Sequence, residues 1–467
     1  MQLKHIAFLT LSAVSTFAMA EGFDVVVVGS GGAGLSSAIT AKESGATVVV
    51  LEKMAYIGGN SNFASGGMNA AGTKQQLAAG VTQDSPELFY KDTMKGGHNL
   101  NNPALLKTLT ENAKYAEEWL VDLGAKFCFR KGRGGGQSIA RGHGPCDGSA
   151  VGPEILRVLT ERAAKDGIAI RTENQVVKIV MKNGAVAGVE VKTEDGVKTI
   201  DARAVVLATG GFGANQAMVT KYRPELKGFS TTNHPGALGE GIKLGEDVGA
   251  SLTDIEQIQI HPTVIKRDGH LISESMRARG AIMVNQKGER FCNELLTRDV
   301  VSQHVLKQPG GYAYLIYDQS IFDSNKLSRG YYKDGYSVKA ENLDELAQKI
   351  KVPAKTLKAT FAAYKKAYDT QKDTAFGRPE MVIALDKAPD YAAQITPGIH
   401  HTMGGLTINT KAEVQSKAGK SIPGLFAAGE VTGGVHGGNR IGGNAVADIV
   451  TFGRIAGKDA AAYAKAH

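Results

Sequence analysis

The chain has 467 residues, 58 of them glycine, and 42% of its residues are hydrophobic, which is enough for a large domain and a smaller second one. Its formal net charge of +8 suits an anionic substrate or an acidic protein partner, and no segment resembles a nucleic-acid-binding module. The three cysteines form neither C-x-x-C nor C-x-x-C-H, so this sequence cannot attach a c-type haem.

The first twenty residues have the pattern of a cleaved export signal. Basic residues precede an apolar run over residues 6–17, and Ala-Met-Ala at residues 18–20 matches the small-x-small cleavage pattern. We expect the mature chain to begin at Glu21 and to be exported to a bacterial periplasm; an uncleaved anchor is the alternative, for which the run is short. In an exported protein Cys128 and Cys146 could be joined by a disulfide, which the sequence leaves open.

A dinucleotide-binding fingerprint follows. An apolar strand over residues 23–28 runs into Gly-Ser-Gly-Gly-Ala-Gly at residues 29–34, and a helix is predicted over residues 35–44, so G-x-G-x-x-G stands in its required setting. The first glycine permits the tight turn, and the second lets the backbone approach a pyrophosphate at the helix N-terminus. The third lets the helix pack closely on the strand. The fingerprint by itself does not separate FAD from NAD.

Further strands indicate FAD. A second strand over residues 47–51 ends at Glu52, an acid placed to accept hydrogen bonds from the adenosine ribose. The segments 205–212 and 424–430 each contain a strand that runs into a glycine turn, and the latter ends at Glu430. Three cofactor-facing segments scattered along one chain suit FAD.

These motifs resemble those of the flavoprotein subunits of fumarate reductase and succinate dehydrogenase, and most closely the soluble periplasmic flavocytochrome c fumarate reductases. The resemblance covers nearly all of the chain from residue 23 onward. It implies an α/β fold, in which a Rossmann-like FAD-binding domain has an inserted α+β capping domain and the active site lies in the cleft between them. These flavocytochromes carry a haem domain ahead of the flavin domain. This sequence contains no such domain, so we expect electrons from a separate cytochrome c.

The resemblance also divides the chain. We expect a signal peptide at residues 1–20, the first part of the FAD-binding domain at residues 21–256, the capping (substrate) domain at residues 257–400 and the second part of the FAD-binding domain at residues 401–467. The stretch over residues 340–369, rich in Lys, Ala and Leu and containing Pro353, predicts two helices of the capping domain.

The residues that the resemblance assigns to FAD lie in glycine-rich segments and at strand ends. They are Gly29, Gly31, Gly32, Ala33, Gly34, Glu52, Lys53, Asn60, Ser61, Gly66, Gly67, Val177, Thr209, Gly210, Gly211, Glu430, Arg440, Gly443, Ala445 and Val446. Membrane-bound members of the family tether FAD through a histidine shortly after the second strand. Residues 58–67 match that stretch and contain no histidine, cysteine or tyrosine, so FAD is expected to be non-covalent.

The substrate side begins at residues 257–263, Gln-Ile-Gln-Ile-His-Pro-Thr, which resemble the family's His-Pro-Thr element. The resemblance implies that His261 offers a ring nitrogen to a substrate carboxylate. In the next motif, Ser-Glu-Ser-Met-Arg, it implies that Ser273 binds the same carboxylate. Glu274 would lie at the substrate and pass protons together with Arg277. Without these neighbours, an ordinary surface ion pair would be an equally good interpretation of the last two residues.

The segment over residues 291–299 resembles the one that carries the family's catalytic arginine, which is Arg298 here. The resemblance implies that Arg298 binds the substrate and protonates one carbon of its double bond after flavin N5 has given hydride to the other. A guanidinium is a very weak acid, so the proton must pass to a strongly basic carbanion and be replaced at once through Arg277 and Glu274. The alternative is that Arg298 only attracts the substrate while water supplies the proton.

His400 and Arg440 are expected at the opposite carboxylate. An arginine fork binds a carboxylate through two hydrogen bonds, and binding at both ends withdraws electrons from the double bond. The segment 443–448 is expected to begin a helix that faces the flavin. The expected reaction is FAD-dependent reduction of the C=C bond of a small unsaturated carboxylate, with fumarate to succinate as the first choice.

One departure from the family leaves the substrate open. Residues 132–136, Gly-Arg-Gly-Gly-Gly, match a stretch where we expect the family to have a bulky apolar side chain over the substrate, and Leu271 stands where another methionine is expected. A larger pocket would suit a methacrylate- or acrylate-type 2-enoate and, less well, urocanate. Two other classes stay open: a flavoenzyme of the same fold that oxidises its substrate, such as a ketosteroid dehydrogenase, and a non-catalytic periplasmic flavin carrier.

Overall fold

The computed structural model describes residues 21–467, so the predicted signal peptide at residues 1–20 lies outside the described residues. The strands are β1 (Gly22–Val28), β2 (Val48–Leu51), β3 (Met68–Asn69), β4 (Phe127–Arg130), β5 (Gly142–Pro145), β6 (Ala169–Arg171), β7 (Gln175–Lys182), β8 (Ala185–Thr193), β9 (Gly196–Leu207), β10 (Leu252–Thr253), β11 (Ile258–Val264), β12 (Ile282–Val284), β13 (Ala313–Asp318), β14 (Val338–Ala340), β15 (Asp390–Thr402), β16 (Gly405–Thr407), β17 (Glu413–Gln415), β18 (Ser421–Ala427) and β19 (Thr432–Gly433). The helices are α1 (Gly32–Glu43), α2 (Lys74–Ala78), α3 (Pro86–Gly96), α4 (Pro103–Asp122), α5 (Val151–Lys165), α6 (Gln216–Tyr222), α7 (Glu240–Asp247), α8 (Ser275–Arg279), α9 (Arg298–Leu306), α10 (Gln319–Ser324), α11 (Lys326–Lys333), α12 (Leu343–Ile350), α13 (Ala354–Thr370) and α14 (Asn444–Ala466).

An eight-stranded sheet organises the first core. Its order is β17-β18-β9-β1-β2-β6, with β8 beside β9 and β7 beside β8, and β1 is parallel to both β2 and β9. Residues 25–28 and 48–51 are apolar throughout and buried, as expected of parallel strands that are covered on both faces. Helices α1 and α14 pack together against this sheet. The carboxyl ends of the central parallel strands therefore meet at one edge, where α/β folds bind ligands.

A five-stranded antiparallel sheet organises a second core. Its order is β11-β15-β13-β12, and β14 also pairs with β15. The buried apolar residues around it lie between Ile265 and Ile395, and they form a cluster separate from the first core. Helix α13 begins directly after Pro353, as predicted. The α/β fold with an inserted second unit is confirmed, whereas the domain boundaries at residues 256 and 401 stay a prediction.

A small sheet supports the start of α14. Strands β3, β4 and β5 form this sheet, and a disulfide joins Cys128 of β4 to Cys146 after β5, which answers the question that the sequence left open. The side-chain amide of Asn69 in β3 donates hydrogen bonds to the carbonyl of Gly442, at 2.7 Å, and to Oδ1 of Asn444, at 2.6 Å. Within residues 21–467, no helix combines the length and apolar character that crossing a membrane requires.

Candidate active site

An elongated cavity extends from the carboxyl end of β1 to the sheet of the second core. Its wall includes most of the residues predicted to bind FAD, namely Gly29, Gly31, Gly32, Ala33, Glu52, Lys53, Asn60, Ser61, Gly66, Gly67, Thr209, Gly210, Glu430, Arg440, Gly443, Ala445 and Val446. The same wall includes the predicted substrate-side residues His261, Glu274, Arg298 and His400. Segments from both ends of the chain thus meet around one cavity.

The fingerprint glycines have the conformations that their spacing predicts. Gly29 has a φ of 104°, a region that favours glycine. A methyl group on Gly34 would lie 1.9 Å from the carbonyl oxygen of Gly29, so glycine is needed for α1 to pack this closely on β1. Helix α1 begins at Gly32 instead of residue 35, and the N–H of Gly32 donates a 2.9 Å hydrogen bond to Oγ of Ser61. The N-terminus of α1 is therefore part of the cavity wall.

Glu52 is held rigidly where β2 ends. Its Oε2 accepts hydrogen bonds from the backbone N–H and the hydroxyl of Ser30, at 3.0 and 2.6 Å, and its Oε1 accepts one from the N–H of Met54 at 2.9 Å. These bonds fix the carboxylate on the cavity wall, where a ribose hydroxyl could reach a remaining lone pair. The neighbouring Lys53 forms an ion pair with Glu240.

Three residues predicted to bind FAD do not line the cavity. Alternate side chains of a strand face opposite sides, so in β7 it is Val176 that lines the cavity, while the side chain of Val177 is 40% exposed. Gly211 lies behind Glu430, since a methyl group on Gly211 would be 2.8 Å from Oε1 of that carboxylate. Gly34 packs on β1 as described above. Gly34 therefore has the packing role that the fingerprint predicts, while Val177 and Gly211 do not lie on the cavity wall and their assignment to FAD stays a prediction.

Buried polar atoms on the wall fit a large polar cofactor. Among the described residues, Oγ of Ser65, Oγ1 of Thr209 and Nε2 of His234 have no hydrogen-bond partner, and all three residues line the cavity. Buried polar groups in proteins are nearly always hydrogen-bonded. These atoms, the glycine turn and the N-terminus of α1 together match the phosphates and hydroxyl groups of FAD.

A β-bulge places two consecutive histidines on the cavity. Strand β15 pairs with β11 so that His401 lies opposite Gln259 and Ile399 lies opposite Ile260, which leaves His400 as the extra residue. A bulge interrupts the alternation of side chains and can re-aim them beside an active site. Both His400 and His401 therefore line the cavity.

His261 presents an N–H group to the cavity. Its Nδ1 accepts a 3.3 Å hydrogen bond from the backbone N–H of Thr263, which can only donate, so the proton of the neutral ring is assigned to Nε2. Burial and the charge of Arg298 lower the pKa of His261 well below 6.5, which keeps the ring neutral. Its Nε2 has no partner among the described residues. The rings of His261 and His400 lie edge to face, with centroids 5.0 Å apart, so the two predicted carboxylate ligands are neighbours.

Arg298, Glu274 and Arg277 form a contiguous chain of charged groups. Nε of Arg298 donates a 2.7 Å hydrogen bond to Oε2 of Glu274, and Nη2 of Arg277 lies 3.8 Å from the same oxygen. Burial alone would raise the pKa of Glu274, but the charges of Arg298 and Arg277 hold it at about 2. Nε and Nη2 of the buried Arg277 have no hydrogen-bond partner among the described residues. The three residues predicted to pass protons are thus in contact in the required order, with Glu274 between Arg277 and Arg298.

Arg440 is a buried cation with unused donor capacity. Its Nη1 donates a 3.2 Å hydrogen bond to the carbonyl of Ile441, and its Nε has no partner among the described residues. Burial, together with the charge of Arg298, lowers the pKa of Arg440 to about 9. A buried, incompletely paired guanidinium costs free energy unless an anion joins it. This site therefore favours a carboxylate ligand.

Gln259 connects the two arginines at the substrate end. Its Oε1 accepts a 3.1 Å hydrogen bond from Nη1 of Arg298, and its Nε2 donates a 2.8 Å bond to the carbonyl of Arg440. No role was predicted for Gln259. It precedes His261 by two positions in the same strand, and strand alternation places such residues on one face, so the sequence did contain a signal for it.

Ser273 and the glycine loop do not line the cavity, contrary to the prediction. Oγ of Ser273 accepts hydrogen bonds from the N–H and the hydroxyl of Ser275, at 3.3 and 3.0 Å, because the chain turns there into α8. The loop over residues 132–136 lies behind Glu274, and the N–H of Gly135 donates a 2.8 Å bond to its Oε1. Leu271 does line the cavity, whereas none of residues 132–136 does, so the expectation that these glycines enlarge the substrate pocket stays a prediction.

Residues 232–234 line the cavity without having been predicted. Oγ1 of Thr232 lies 2.7 Å from Nδ1 of His400. Asn233 and His234 both bind the side chain of Asn60: Oδ1 of Asn233 accepts its amide hydrogen at 2.7 Å, and the N–H of His234 donates to its Oδ1 at 2.7 Å. The Asn-His-Pro-Gly sequence predicts a turn, but turn residues alone do not indicate which ligand the turn approaches.

Three comparisons relate the chain to known proteins. The FAD binding domain family matches residues 24–446. The chain is 49% identical over 447 residues to the NADH:fumarate oxidoreductase of Klebsiella pneumoniae (strain 342), with 95% of this chain and 48% of that protein covered. It is 47% identical over 444 residues to a fumarate reductase (cytochrome) of Shewanella frigidimarina, with 95% and 77% covered. The open conformation of a flavocytochrome c3 fumarate reductase has a TM-score of 0.78 at 44% identity, with 96% of this chain and 79% of that chain covered. The chain thus spans about half the length of the Klebsiella relative.

Proposed function

Since the chain belongs to the FAD binding domain family, we propose that it is an FAD-dependent oxidoreductase that reduces the C=C bond of a small unsaturated carboxylate, with fumarate to succinate as the first choice. One observation carries this proposal. Four side chains whose chemistry suits a carboxylate, those of His261, Arg298, His400 and Arg440, line the cavity that fits FAD. Two cations and two neutral imidazoles at one site favour a dianion over a neutral substrate.

FAD would be held without a covalent bond. Asn60 lies in the segment that corresponds to the family's attachment stretch, and its amide is hydrogen-bonded to Oδ1 of Asn233 at 2.7 Å and to Oε2 of Glu430 at 3.2 Å. Enclosure by the glycine turns and hydrogen bonds to the unpartnered wall atoms would provide the affinity. When bound, FAD supplies the hydride that reduction of a C=C bond requires.

The donors at the substrate end divide between two carboxylates. His261 and Arg298 would bind one carboxylate, and His400 and Arg440 the other. The unpartnered Nε2 of His261 and Nε of Arg440 support this assignment, because each is a buried donor without a partner among the described residues. Binding at both ends holds a planar alkene in one orientation, and such positioning accounts for a large part of enzymatic rate acceleration.

Arg298 is the proposed proton donor, with Arg277 and Glu274 replacing its proton. The low pKa of Glu274 keeps the carboxylate ionised at neutral pH. It can therefore accept a proton from Arg277 and pass it to Arg298 once Arg298 has protonated the substrate carbon, across contacts of 3.8 and 2.7 Å. Each step moves one proton, and a proton from solvent must then recharge Arg277, so one solvent proton enters the product in each cycle and both arginines end it charged. In the alternative, Arg298 acts only through its charge and water is the acid.

We also propose export to a periplasm and electron supply by a separate cytochrome c. The formal net charge of +8 supports an acidic redox partner. Mixing the FAD-loaded protein and fumarate with a reduced soluble cytochrome c should oxidise the cytochrome in proportion to the succinate formed. Rapid oxidation of NADH under the same conditions, with no reaction of the cytochrome, would contradict the proposed donor and leave the proposed reaction intact.

A 2-enoate reductase acting on methacrylate or acrylate is the second candidate. Leu271 supports this candidate, because it lines the cavity at a position where the family is expected to have a methionine. The four donor side chains favour two carboxylates and so favour fumarate, and they count further against urocanate, which has one. A non-catalytic flavin carrier would have no use for a buried proton relay.

The proposed function is tested by a viologen-linked assay of the FAD-loaded protein with fumarate, methacrylate, acrylate and urocanate. We expect the highest kcat/KM with fumarate. A higher value with methacrylate would contradict the first-choice substrate only. Absence of turnover with all four, despite bound FAD, would favour the carrier, and oxygen-dependent oxidation of succinate as the main activity would contradict the proposed direction.

A further inference from the structure

The loop between α13 and β15 contacts one end of the proton relay. Arg378 in this loop is fully buried, and its Nη2 donates a 2.5 Å hydrogen bond to the carbonyl of Arg277. Its Nη1 donates a 3.1 Å bond to Oε2 of Glu294, whose own carbonyl accepts a 2.6 Å bond from Nη1 of Arg277. Arg378 therefore fixes the backbone of Arg277 directly and its guanidinium through Glu294.

The next residues of the loop contact the other end of the relay. Oε2 of Glu380 accepts a 3.1 Å hydrogen bond from the N–H of Arg133, and the carbonyl of Pro379 accepts a 3.2 Å bond from Nη2 of the same residue. Two positions further on, the N–H of Gly135 donates the 2.8 Å bond to Oε1 of Glu274. A methyl group on Gly135 would lie 2.9 Å from that oxygen, so the glycine loop is in direct contact with the carboxylate.

A buried ion cluster anchors the loop. Glu294 pairs with Arg290 at 2.8 Å and with Arg378 at 3.1 Å, and Arg290 also pairs with Asp373 at 3.0 Å. Burial alone would raise the pKa of Glu294, but the two arginines lower it. Burying charges carries a desolvation cost that such contacts often do no more than offset, so the cluster is better explained by the geometry it enforces than by stability. The geometry it enforces here is that of Arg277.

We propose that Arg378 and Glu380 are positioning residues of the proton relay. Arg378 holds Arg277, and Glu380 holds the glycine loop that binds Glu274, so one short segment sets both proton-transfer contacts. Neither residue lies on the cavity wall, and each acts through others. The inference rests on the proposed function, because it requires protons to pass from Arg277 through Glu274 to Arg298.

Glu380→Ala tests the proposal, since the side chain is 32% exposed and its removal leaves the buried cluster in place. In the viologen-linked fumarate assay we expect kcat to fall about tenfold, as small misplacements of reacting groups cost that much or more, with KM little changed. The solvent deuterium isotope effect on kcat should increase, because proton delivery becomes slower. Backbone amides of residues 132–136 should exchange faster in hydrogen-exchange mass spectrometry. Glu380→Gln keeps an oxygen that can accept the N–H of Arg133, and it should restore kcat.

The matched control is Glu345→Ala. Glu345 is also ion-paired, is 34% exposed, and accepts a backbone N–H, that of Glu341, but it lies far from the relay in α12. Its removal should change none of these measurements. A normal kcat for Glu380→Ala, or an equal loss for Glu345→Ala, would overturn the proposal.

A double-mutant cycle with Glu274→Gln separates this inference from the proposed function. If the relay operates, Glu274→Gln lowers kcat, and adding Glu380→Ala then has almost no further effect, because both act on one path. A full additional loss in the double variant would overturn the positioning role while leaving the relay intact. A normal kcat for Glu274→Gln would contradict the relay, and the positioning role with it.

Discussion

Gly442 lies directly against the carboxylate of Glu274: a methyl group at this position would be 2.5 Å from Oε2 of Glu274 and 2.9 Å from Nη2 of Arg298. Gly442 lies two residues before α14, which packs on the first core, whereas Glu274 directly precedes α8 and Arg298 begins α9, both helices of the second core. The lack of a side chain at residue 442 therefore lets the segment before α14 pack directly against the ion pair of Glu274 and Arg298.

Gly442→Ala should separate Arg298 from Glu274. Gly442 does not have a positive φ, so alanine can adopt its backbone conformation and the added methyl group is the main perturbation. We expect kcat for fumarate to fall by at least about tenfold, with FAD content unchanged, as measured by visible absorbance and a viologen-linked assay. Gly330→Ala is the control, because a methyl group there meets no atom within 4 Å. Unchanged kcat in Gly442→Ala would show that the pair tolerates displacement.

Glu274→Gln should lower kcat by about two orders of magnitude, the usual size of a general acid–base contribution, with little effect on KM. The amide keeps the shape of the side chain but cannot take up a proton. Since the pKa of Glu274 is about 2, titration of this carboxylate should make no contribution to the pH dependence of kcat between pH 5 and 9. Retention of full turnover in Glu274→Gln would instead favour water as the acid.

Arg440→Ala should lower kcat/KM more for dicarboxylate substrates than for monocarboxylate substrates. Loss of a charge-assisted hydrogen bond costs about 1.5–3 kcal/mol, so kcat/KM for fumarate should fall by about one to two orders of magnitude. Methacrylate and acrylate lack the second carboxylate, and their kcat/KM should change little. Equal losses for all three substrates would place Arg440 in cofactor binding and not at the distal carboxylate.

Stability should fall in mild acid because of the buried histidines. Burial lowers the pKa values of His261, His400 and His401 well below 6.5. In the unfolded chain these rings take up protons as the pH falls through 6.5, whereas in the folded protein they stay neutral. The free energy of unfolding is therefore highest above pH 6.5 with respect to these groups and decreases progressively below it. Urea unfolding between pH 8 and 5 should show this decrease, and His261→Gln should reduce its slope. His467→Gln, at the exposed C-terminus, should leave the slope unchanged.

Gly34→Ala should abolish FAD binding. The methyl group would lie 1.9 Å from the carbonyl of Gly29, so α1 must move away from β1 and the glycine turn loses its shape. We expect purified Gly34→Ala protein to contain no flavin, while Gly330→Ala retains it. Normal flavin content in Gly34→Ala would mean that the turn can adjust without losing the cofactor.

Local sequence signals predicted the parts of this protein that depend on neighbouring residues. The strand-turn-helix around Gly29–Gly34, the helix after Pro353 and the α/β class all follow from apolar runs and from the backbone freedom of glycine, which act over a few positions. The resemblance carried by His261, Glu274, Arg298 and Arg440 similarly placed these side chains at one site, because their motifs mark the ends of particular elements.

Only the tertiary structure decided which side chains face that site. The bulge that turns both His400 and His401 to the cavity is a property of the pairing of β15 with β11. In β7 the side chain that lines the cavity belongs to Val176, one position before the predicted Val177. The glycine loop lies behind Glu274 because Pro379 and Glu380, about 245 positions away in sequence, hold Arg133. Such contacts depend on the packing of distant segments, and no local pattern encodes them.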